Sequence, residues 1–345
     1  MIKAYRHFIN YMKLKNLVVV ITGASSGIGR ATALKLAKKG SNLVLAARRK
    51  KALEDLAYEC VKLGGKAIAV STDVSEEAEI KILIDKAITE YGKIDVWINN
   101  AAVTVLGRLE DIPSEDLKKV LDTNLLGYAY GAKHIVPHFK DNRQGILINV
   151  GSVASIAGEP FAIPYSMTQF GIRGLSLSLA EELSDIDGIH ICSIIPDTTD
   201  TPIYNQAANY MGKRIVAPGN PLSPHIVADQ IVKLILKPKA ETFIERKRRF
   251  SKLFRFLGRK RFNKDYREAV LTGHFSLEDT KDTKGNLYES NEKCATISGG
   301  WEIDRPSRKI PGSVLFGSVV FTWVALLFTL LMGKKKAVPK ILQKV

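Results

Sequence analysis

Along most of the chain, two kinds of hydrophobic pattern alternate. Short runs rich in Val and Ile alternate with longer segments in which apolar residues recur every three or four positions. The short runs are typical of strands buried on both faces of a parallel sheet, and the longer segments are typical of the connecting helices. The pattern therefore predicts an α/β fold over residues 17–245, doubly wound around a mainly parallel seven-stranded sheet with helices on both faces.

The same pattern gives approximate bounds for the elements of this domain. Strands are predicted at residues 17–22, 42–47, 67–71, 94–98, 145–151, 189–195 and 241–245. Helices are predicted at residues 27–39, 50–63, 76–91, 114–139, 164–184 and 225–236. Because ligands of open parallel sheets bind beyond the carboxyl ends of the strands, we expect the functional residues to follow strands directly.

The segments on either side of the domain differ from it in composition. Residues 1–16 carry basic residues but no apolar run long enough for a secretory signal peptide. Residues 246–271 are basic and amphipathic, residues 272–309 are a polar linker, and residues 334–345 are a basic tail. Between the linker and the tail, residues 310–333 provide 24 positions without a charge. As a helix of about 1.5 Å per residue they would cross a hydrocarbon core of about 30 Å, so a C-terminal membrane helix is predicted.

The excess of positive charge belongs to the C-terminal part of the chain. The net charge is +16, and 22 basic against 9 acidic residues follow residue 245, which leaves only +3 for the rest. The apolar residues of the basic segment recur on one helical face, at Phe250, Leu253, Phe254 and Leu257. This pattern fits either a basic helix packed on the domain or a helix lying on anionic lipid. Nucleic acid is not expected as a partner, because no nucleic-acid motif accompanies the charge.

The thiols and imidazoles of the sequence do not form disulfide or metal patterns. The three cysteines are widely separated and odd in number, which fits a reducing compartment and a domain facing the cytoplasm. His134 and His138 are four residues apart, but Pro137 is expected to break the helix between them. No third ligand lies nearby in the sequence, so no metal site is predicted.

The first predicted strand runs into a glycine-rich turn, TGASSGIG at Thr22–Gly29, which a helix follows. Gly23, Gly27 and Gly29 allow a tight turn and a close backbone approach, and the helix N-terminus offers free N–H groups to a pyrophosphate. The position between a strand and a helix is what an isolated glycine match lacks. A Rossmann-type dinucleotide site is therefore predicted at this turn.

This turn resembles the signature T-G-x-x-x-G-x-G of the short-chain dehydrogenase/reductase family. Further matches follow in the order and spacing of that family, at Asp73, Asn99, Asn124, Ser152 and Tyr165. The resemblance covers about residues 14–245. It implies a Rossmann-type domain that binds a nicotinamide dinucleotide and transfers hydride to or from a substrate.

The resemblance also implies a role for each matching residue. Asp73 would hold the adenine amino group, and Asn99 would support the sheet beside the cofactor. Ser152 would hydrogen-bond the substrate oxygen, Tyr165 would transfer its proton, and Asn124 would position a water in a proton relay. Further cofactor contacts are implied for Gly23, Ser25, Gly27, Ile28, Gly29, Val74, Ala101, Tyr165, Gln169, Pro196 and Thr201.

The end of the second predicted strand bears on the choice of cofactor. It reads Ala47-Arg48-Arg49, where an NAD-preferring site would place an acid for the ribose hydroxyls. An acid would repel a 2′-phosphate, whereas a guanidinium can bind it through two hydrogen bonds. Arg48 is therefore the candidate for recognition of NADP.

The chain departs from the family pattern at two positions. Asp197 follows Pro196 where the family has Gly, and Gln169 stands four residues after Tyr165 where the family has the active-site Lys. Residues four apart share a helical face, so Gln169 can still hydrogen-bond the ribose. It brings no positive charge to stabilise a phenolate.

Together these residues predict an NADP(H)-dependent oxidoreductase that interconverts a carbonyl and a secondary alcohol. Hydride transfer to a carbonyl builds an alkoxide that needs a proton donor, and Tyr165 supplies one. The predicted membrane attachment favours a lipophilic substrate, with membrane lipid as a partner of the C-terminal helix and the basic segment. Homo-oligomers are common in the family and are a further expectation. The alternative, motivated by Gln169, is a catalytically impaired NADP-binding protein at a membrane that serves sensing or interaction.

Overall fold

The computed structural model describes residues 14–244 and 259–301, and for residues 259–265 it describes the backbone only. Within these ranges the chain forms eleven strands. They are β1 (Val18–Thr22), β2 (Asn42–Ala47), β3 (Lys66–Ser71), β4 (Val96–Asn99), β5 (Val105–Gly107), β6 (Gly145–Val150), β7 (Ile189–Pro196), β8 (Ala208–Tyr210), β9 (Lys213–Ile215), β10 (Glu241–Ile244) and β11 (Phe275–Asp279).

Seven of these strands form one sheet in the order β3–β2–β1–β4–β6–β7–β10, and every neighbouring pair in it is parallel. The described helices connect the strands and flank the sheet. They are α1 (Gly27–Ala37), α2 (Lys50–Lys62), α3 (Glu77–Tyr91), α4 (Ser114–Leu121), α5 (Gly127–Asn142), α6 (Ile163–Glu182), α7 (Pro224–Leu236) and α8 (Arg259–His274). The predicted doubly wound, Rossmann-type α/β fold is confirmed.

The central strand β1 shows why the sheet needs helices on both faces. Successive side chains of a strand point to opposite faces. Val19 and Ile21 join a fully buried cluster with residues of α1 and α7, whereas Val20 joins a second buried cluster with Trp97 and residues of α3 and α5. Burial of each such side chain stabilises the fold by about 1.5–3 kcal/mol. The Val and Ile runs of the sequence are therefore two-faced core strands.

Local chemistry sets the ends of several helices. The Ser223 side chain accepts a hydrogen bond from the His225 N–H and Pro224 occupies the first turn of α7, a preferred helix start. Helix α3 ends at Gly92, whose φ of 76° is left-handed. Helices α4 and α5 are joined without a break by a π-helical segment, Asp122–Leu126.

The expected break at Pro137 is wrong. Pro137 lies inside α5, which continues to Asn142. A proline removes one backbone N–H, but Ile135, Val136 and Phe139 around it are buried in the cluster beneath the sheet. Tertiary packing therefore outweighs the loss of one helical hydrogen bond.

The structure also differs from the sequence prediction after residue 274. Strand β11 pairs antiparallel with β9, and Leu287 is fully buried beside Val105 and Ala208. Residues 275–301, expected to belong to a polar linker, therefore pack against the sheet domain. Their few apolar side chains are used for docking, which a low average hydrophobicity does not reveal.

The predicted membrane helix cannot be compared with the structure, because residues 310–333 lie outside the described ranges. The N-terminal residues 1–13, the tail 334–345 and residues 246–258 of the basic segment lie outside them as well. Among the helices that are described, none is long and apolar enough to cross a membrane.

Candidate functional site

A cleft of about 200 Å³ opens beyond the carboxyl ends of the central strands. The strand order reverses between β1 and β4, and ligands of open α/β sheets bind at such a point. Most of the residues predicted from the sequence line the cleft: Gly23, Ser25, Gly27, Ile28, Arg48, Asp73, Val74, Ala101, Ser152, Tyr165, Gln169, Pro196 and Thr201. Gly29, Asn99 and Asn124 do not line it and lie behind its walls.

The glycine-rich turn forms the floor of the cleft, and its glycines leave no room for side chains. Gly23 has a φ of 65°, and a Cβ atom there would lie 2.7 Å from the Ala101 Cα. A Cβ atom on Gly29 would lie 2.5 Å from the Gly23 carbonyl oxygen. Helix α1 starts at Gly27, so its first N–H groups and its positive dipole end face the cleft. This geometry suits a pyrophosphate.

Asn99 stiffens the sheet directly behind this turn. It is buried, and its amide group donates to the Tyr128 carbonyl oxygen at 3.2 Å and to the Asn149 side chain at 2.9 Å. Its carbonyl oxygen accepts from the Trp97 indole at 2.7 Å. Asn99 therefore ties β4 to α5 and β6, which fits a supporting role more than a cofactor contact.

Asn124 lies in the π-helical segment and is fully buried. Both polar atoms of its side chain engage the main chain of Val103, each at 2.8 Å, and its amide group also donates to the Thr168 hydroxyl at 3.3 Å. The Thr168 hydroxyl in turn donates to the carbonyl oxygen of Tyr165. Asn124 thus joins the loop after β4 to helix α6; its predicted role in a proton relay stays a prediction.

Ser152 and Tyr165 meet at the end of β6. Ser152 follows this strand and its hydroxyl accepts from the Ala154 N–H at 3.2 Å, while Tyr165 lies in the first turn of α6. Burial of the phenol raises the pKa of Tyr165, a hydrogen bond with Ser152 lowers it, and the Glu159 carboxylate raises it again, to about 12 in all. At neutral pH the phenol is therefore protonated and can donate a proton.

Gln169 lies one helical turn after Tyr165 on the wall of the cleft. Its side chain is buried, with 1% of its surface exposed. Its Oε1 atom accepts no hydrogen bond from any residue that the structure describes. A buried carbonyl oxygen without a donor is costly, so this atom is suited to accept a hydrogen bond from a ligand hydroxyl.

Arg48 stands at the end of β2, where the sequence predicts 2′-phosphate recognition. In the structure its guanidinium donates to three backbone carbonyl oxygens of the C-terminal region, on Asn286 at 2.6 Å, Leu287 at 2.9 Å and Tyr288 at 3.3 Å. This segment belongs to the stretch expected to be a linker. Arg48 is thus at the predicted place with partners the sequence did not indicate.

Arg49 is a cleft residue that the sequence analysis did not assign to the site. It is buried and donates to the hydroxyls of Ser25 and Ser26 in the glycine-rich turn and to the Asn291 carbonyl oxygen at 2.8 Å. Burial lowers the pKa of Arg49, and Cys294 and Glu292 nearby act in the opposite direction. Arg49 fixes two serines within the glycine-rich turn.

Asp73 follows β3, the strand beside β2, and also lines the cleft. Its carboxylate accepts from the Ser75 N–H at 3.0 Å and from the Ser75 hydroxyl at 2.7 Å, and Lys119 lies 3.4 Å away. Burial alone would raise the pKa of this carboxyl, but these hydrogen bonds and the charges of Lys119 and Arg48 outweigh it, so the pKa lies below its ordinary value. Asp73 is therefore an ionised acceptor.

Several other cleft residues were not predicted: Asn100, Tyr204, Gln206, Asn286 and Ser290. Asn100 directly follows β4, and its amide donates to the carbonyl oxygens of Thr22 at 2.9 Å and Gly23 at 3.2 Å. The rule that functional residues follow strands could have found Asn100. No comparable signal marks Asn286 and Ser290, which come from a segment far along the chain.

The two imidazoles that lie four residues apart, His134 and His138, have separate partners. His134 pairs with Glu77 at 2.6 Å, and the Nε2 atom of His138 accepts from the Ile94 N–H at 3.0 Å. Among the described residues, no three potential ligands come together as a metal site would require.

The known sequences that this chain resembles are oxidoreductases. A family described as short chain dehydrogenase matches residues 17–211. The uncharacterized oxidoreductase YxnA of Bacillus subtilis (strain 168) is 37% identical over 238 residues, which cover 67% of this chain and 66% of that relative. The 3-oxoacyl-[acyl-carrier-protein] reductase FabG of Thermotoga maritima is 33% identical over 192 residues, covering 56% of this chain and 78% of that relative. The chain thus spans just under two thirds of the length of YxnA.

Two solved structures show the same architecture. An alcohol dehydrogenase from the archaeon Thermococcus sibiricus, complexed with 5-hydroxy-NADP, has a TM-score of 0.58 and 26% identity and covers 67% of this chain and 99% of its own. A short chain dehydrogenase/reductase from Burkholderia phymatum, in complex with NAD, has a TM-score of 0.60 and 26% identity and covers 67% and 89%. The two structures contain different nicotinamide dinucleotides.

Proposed function

We propose that this chain, which belongs to the short-chain dehydrogenase family, is an NADP(H)-dependent oxidoreductase that interconverts a carbonyl and a secondary alcohol. The observation that carries the proposal is the pair of Ser152 and Tyr165, which both line the cleft near the end of β6. It lies in the same cleft as the glycine-rich turn. A proton donor and a dinucleotide-binding turn in one cleft are what carbonyl reduction requires.

The residues of the cleft fit a nicotinamide dinucleotide. The tight glycine-rich turn leaves no room for a Cβ atom at Gly23 or Gly29, and the N-terminus of α1 supplies N–H donors for a pyrophosphate. Asp73 would accept from the adenine amino group, and the unpaired Gln169 Oε1 would accept from a ribose hydroxyl. The bound dinucleotide would supply the hydride chemistry.

In reduction, Ser152 and Tyr165 would act on the substrate oxygen. The Ser152 hydroxyl donates a hydrogen bond to that oxygen, and the Tyr165 phenol gives up its proton as negative charge develops there. Because the pKa of Tyr165 is about 12, the required neutral phenol dominates at pH 7. Oxidation needs the phenolate, which Gln169 cannot stabilise by charge. The site is therefore better suited to reduction than to oxidation.

The preference for NADP rests on Arg48 and on the absence of an acid at Ala47. Hydrogen bonds to charged groups stabilise by about 1.5–3 kcal/mol. A 2′-phosphate at Arg48 would accordingly raise affinity by about ten- to a hundredfold over a ribose hydroxyl.

The test of the catalytic proposal is a screen of the full-length chain with NADPH against aldehydes and ketones. The Tyr165→Phe variant should lose about 10²- to 10⁴-fold in turnover of any substrate found. Tyr58→Phe on the exposed face of α2 is the matched control and should be unaffected. Unchanged turnover in Tyr165→Phe would remove this residue from the mechanism.

A lipophilic substrate and attachment to a membrane are further parts of the proposal. They are supported by the 24 uncharged residues at 310–333 and by the basic segment before them. A chain truncated after Arg308 should no longer sediment with vesicles in high salt, whereas the full chain should. Sedimentation of the truncated chain under those conditions would contradict the assigned anchor.

A second candidate function is that of an NADP-binding protein without turnover, which Gln169 favours. Such a protein would bind NADPH and would reduce no carbonyl. The same titrations and assays therefore separate the two functions.

A further inference from the structure

Residues 286–301 run across the dinucleotide side of the cleft; we call them the strap. The strap contacts the cleft through its backbone carbonyl oxygens. The Gly27 N–H donates to Thr296 at 2.8 Å, and Arg49 donates to Asn291 at 2.8 Å. Arg48 donates to three carbonyl oxygens at the start of the strap. The strap therefore occupies donors that the proposed function assigns to phosphates.

The contact at Gly27 is the most telling of these. A backbone amide carries one hydrogen, and here that hydrogen points to Thr296. Gly27 stands at the start of α1, at the turn that would hold the pyrophosphate. The Thr296 carbonyl oxygen and a phosphate oxygen cannot both take this position. A dinucleotide that uses the full turn must displace the strap.

The way the strap is held makes such a displacement feasible. Its start is anchored by Leu287, which is fully buried beside Val103, Val105 and Val120. Its end is anchored at Trp301, whose backbone N–H donates to the Asp200 carboxylate at 2.9 Å. Between these anchors, residues 288–300 include no buried residue. A segment that buries no side chain between its anchors opens at a lower free-energy cost than the packed strands of the sheet.

We propose that the strap competes with the dinucleotide for the same cleft. The strap must leave Gly27 and Arg48 before the cofactor binds. This inference rests on the proposed NADP(H) binding. Because NADPH and NADH share the pyrophosphate, the strap lowers the affinity for both by the same factor, the fraction of molecules in which it is open. The ratio between the two affinities is set by Arg48 and not by the strap.

The test is a fluorescence titration of NADPH and NADH with the full chain and its Leu287→Ala variant. This substitution removes an anchor of the strap without touching a donor of the cleft. Both dinucleotides should bind roughly tenfold tighter, with their affinity ratio unchanged. The matched control is Leu277→Ala, a leucine of β11 that is 92% exposed, and it should bind as the wild type does. Trp301→Phe, which loses the indole hydrogen bond to the Thr201 carbonyl oxygen, serves if Leu287→Ala does not fold.

Hydrogen exchange of the wild type is the second measurement. Amides of residues 288–300 should exchange faster when NADPH saturates the protein, because the strap has been displaced. Slower exchange, or weaker binding in Leu287→Ala, would mean that the strap closes over the cofactor as part of its site, and would overturn the competition. Equal affinities in wild type and variants would overturn it too. If neither the wild type nor an opened variant binds a dinucleotide, the proposed function itself fails.

Discussion

The sheet domain and the strap are held together by different forces. Strand β1 and its neighbours bury side chains with no exposed surface on both faces. The strap lies on the same cleft through hydrogen bonds of backbone carbonyl oxygens, with Leu287 as its one fully buried side chain. Apolar burial makes the sheet domain rigid, and we call it the frame. The strap is docked by polar contacts, which other polar groups can replace.

This difference places chemistry and access on separate parts of the chain. Ser152 and Tyr165 are fixed by β6 and α6, which belong to the frame. The strap contacts the dinucleotide side of the cleft at Gly27, Arg48 and Arg49, and the Trp301 indole at its end donates to the Thr201 carbonyl oxygen. We therefore expect substitutions in the frame to change stability and reaction rate, and substitutions that loosen the strap to change cofactor affinity but not the reaction rate.

The largest expected effect is on the frame. Ile21→Ala should lower the free energy of unfolding by about 2–5 kcal/mol, because it leaves a cavity in a fully buried cluster. Leu277→Ala, exposed on β11, should change it by less than about 0.5 kcal/mol. Urea denaturation of both variants measures this. A small loss in Ile21→Ala would erase the contrast between frame and strap.

The next effect concerns Arg48, which belongs to the frame and donates hydrogen bonds to the strap. Arg48→Ala should weaken NADPH binding by about ten- to a hundredfold, from the loss of charge-assisted hydrogen bonds worth about 1.5–3 kcal/mol. The same variant removes three hydrogen bonds to the strap, so NADH should bind tighter than to the wild type. Lys50→Ala, next but one along the chain and exposed, is the control. Equal affinity of the wild type for both dinucleotides would refute the preference for NADP.

A third prediction lies within the frame and tests whether the strap stays out of the chemistry. Gln169→Lys should place a positive charge near Tyr165 and lower the pKa of its phenol, from about 12 by about one unit. More phenolate at a given pH should raise alcohol oxidation about tenfold at neutral pH, with little change in carbonyl reduction. Rates in both directions against pH, with uncharged Gln169→Met as the control, provide the measurement. If Gln169→Lys changes the rates in the same way when it is combined with Leu287→Ala, the strap does not take part in the chemistry. A different change in the rates would show that it does.

The smallest expected effect is at the polar edge of the strap. The Tyr288 hydroxyl donates to the buried Asp116 carboxylate at 2.8 Å. Tyr288→Phe removes this bond and should loosen the strap locally. Hydrogen exchange at residues 288–290 should rise while the unfolding midpoint stays nearly constant. A large drop in the midpoint would show that the strap belongs to the cooperative frame.

The contrast also explains which features the sequence could predict. The strands were found because Val and Ile runs reflect burial on two faces, and the glycine turn was found because its glycines have no substitute at such close approach. The sequence predicts a linker where the strap lies, because the contacts of the strap come from backbone carbonyl oxygens, which every residue type carries. Arg48 was placed correctly by its position after β2, but nothing local to it indicates Asn286 as a partner. The break expected at Pro137 failed because packing of neighbouring residues is invisible to a local rule.

The two anchors of the strap have a consequence for how the protein would respond to its surroundings. A segment tethered at Leu287 and Trp301 presents its carbonyl oxygens to the cleft at a local concentration of the order of millimolar, whatever the concentration of the protein. Dilution separates a dinucleotide from the cleft but leaves the tethered segment in place. Occupancy by the cofactor would therefore follow the dinucleotide pool of the cell and stay independent of how much of the protein is made.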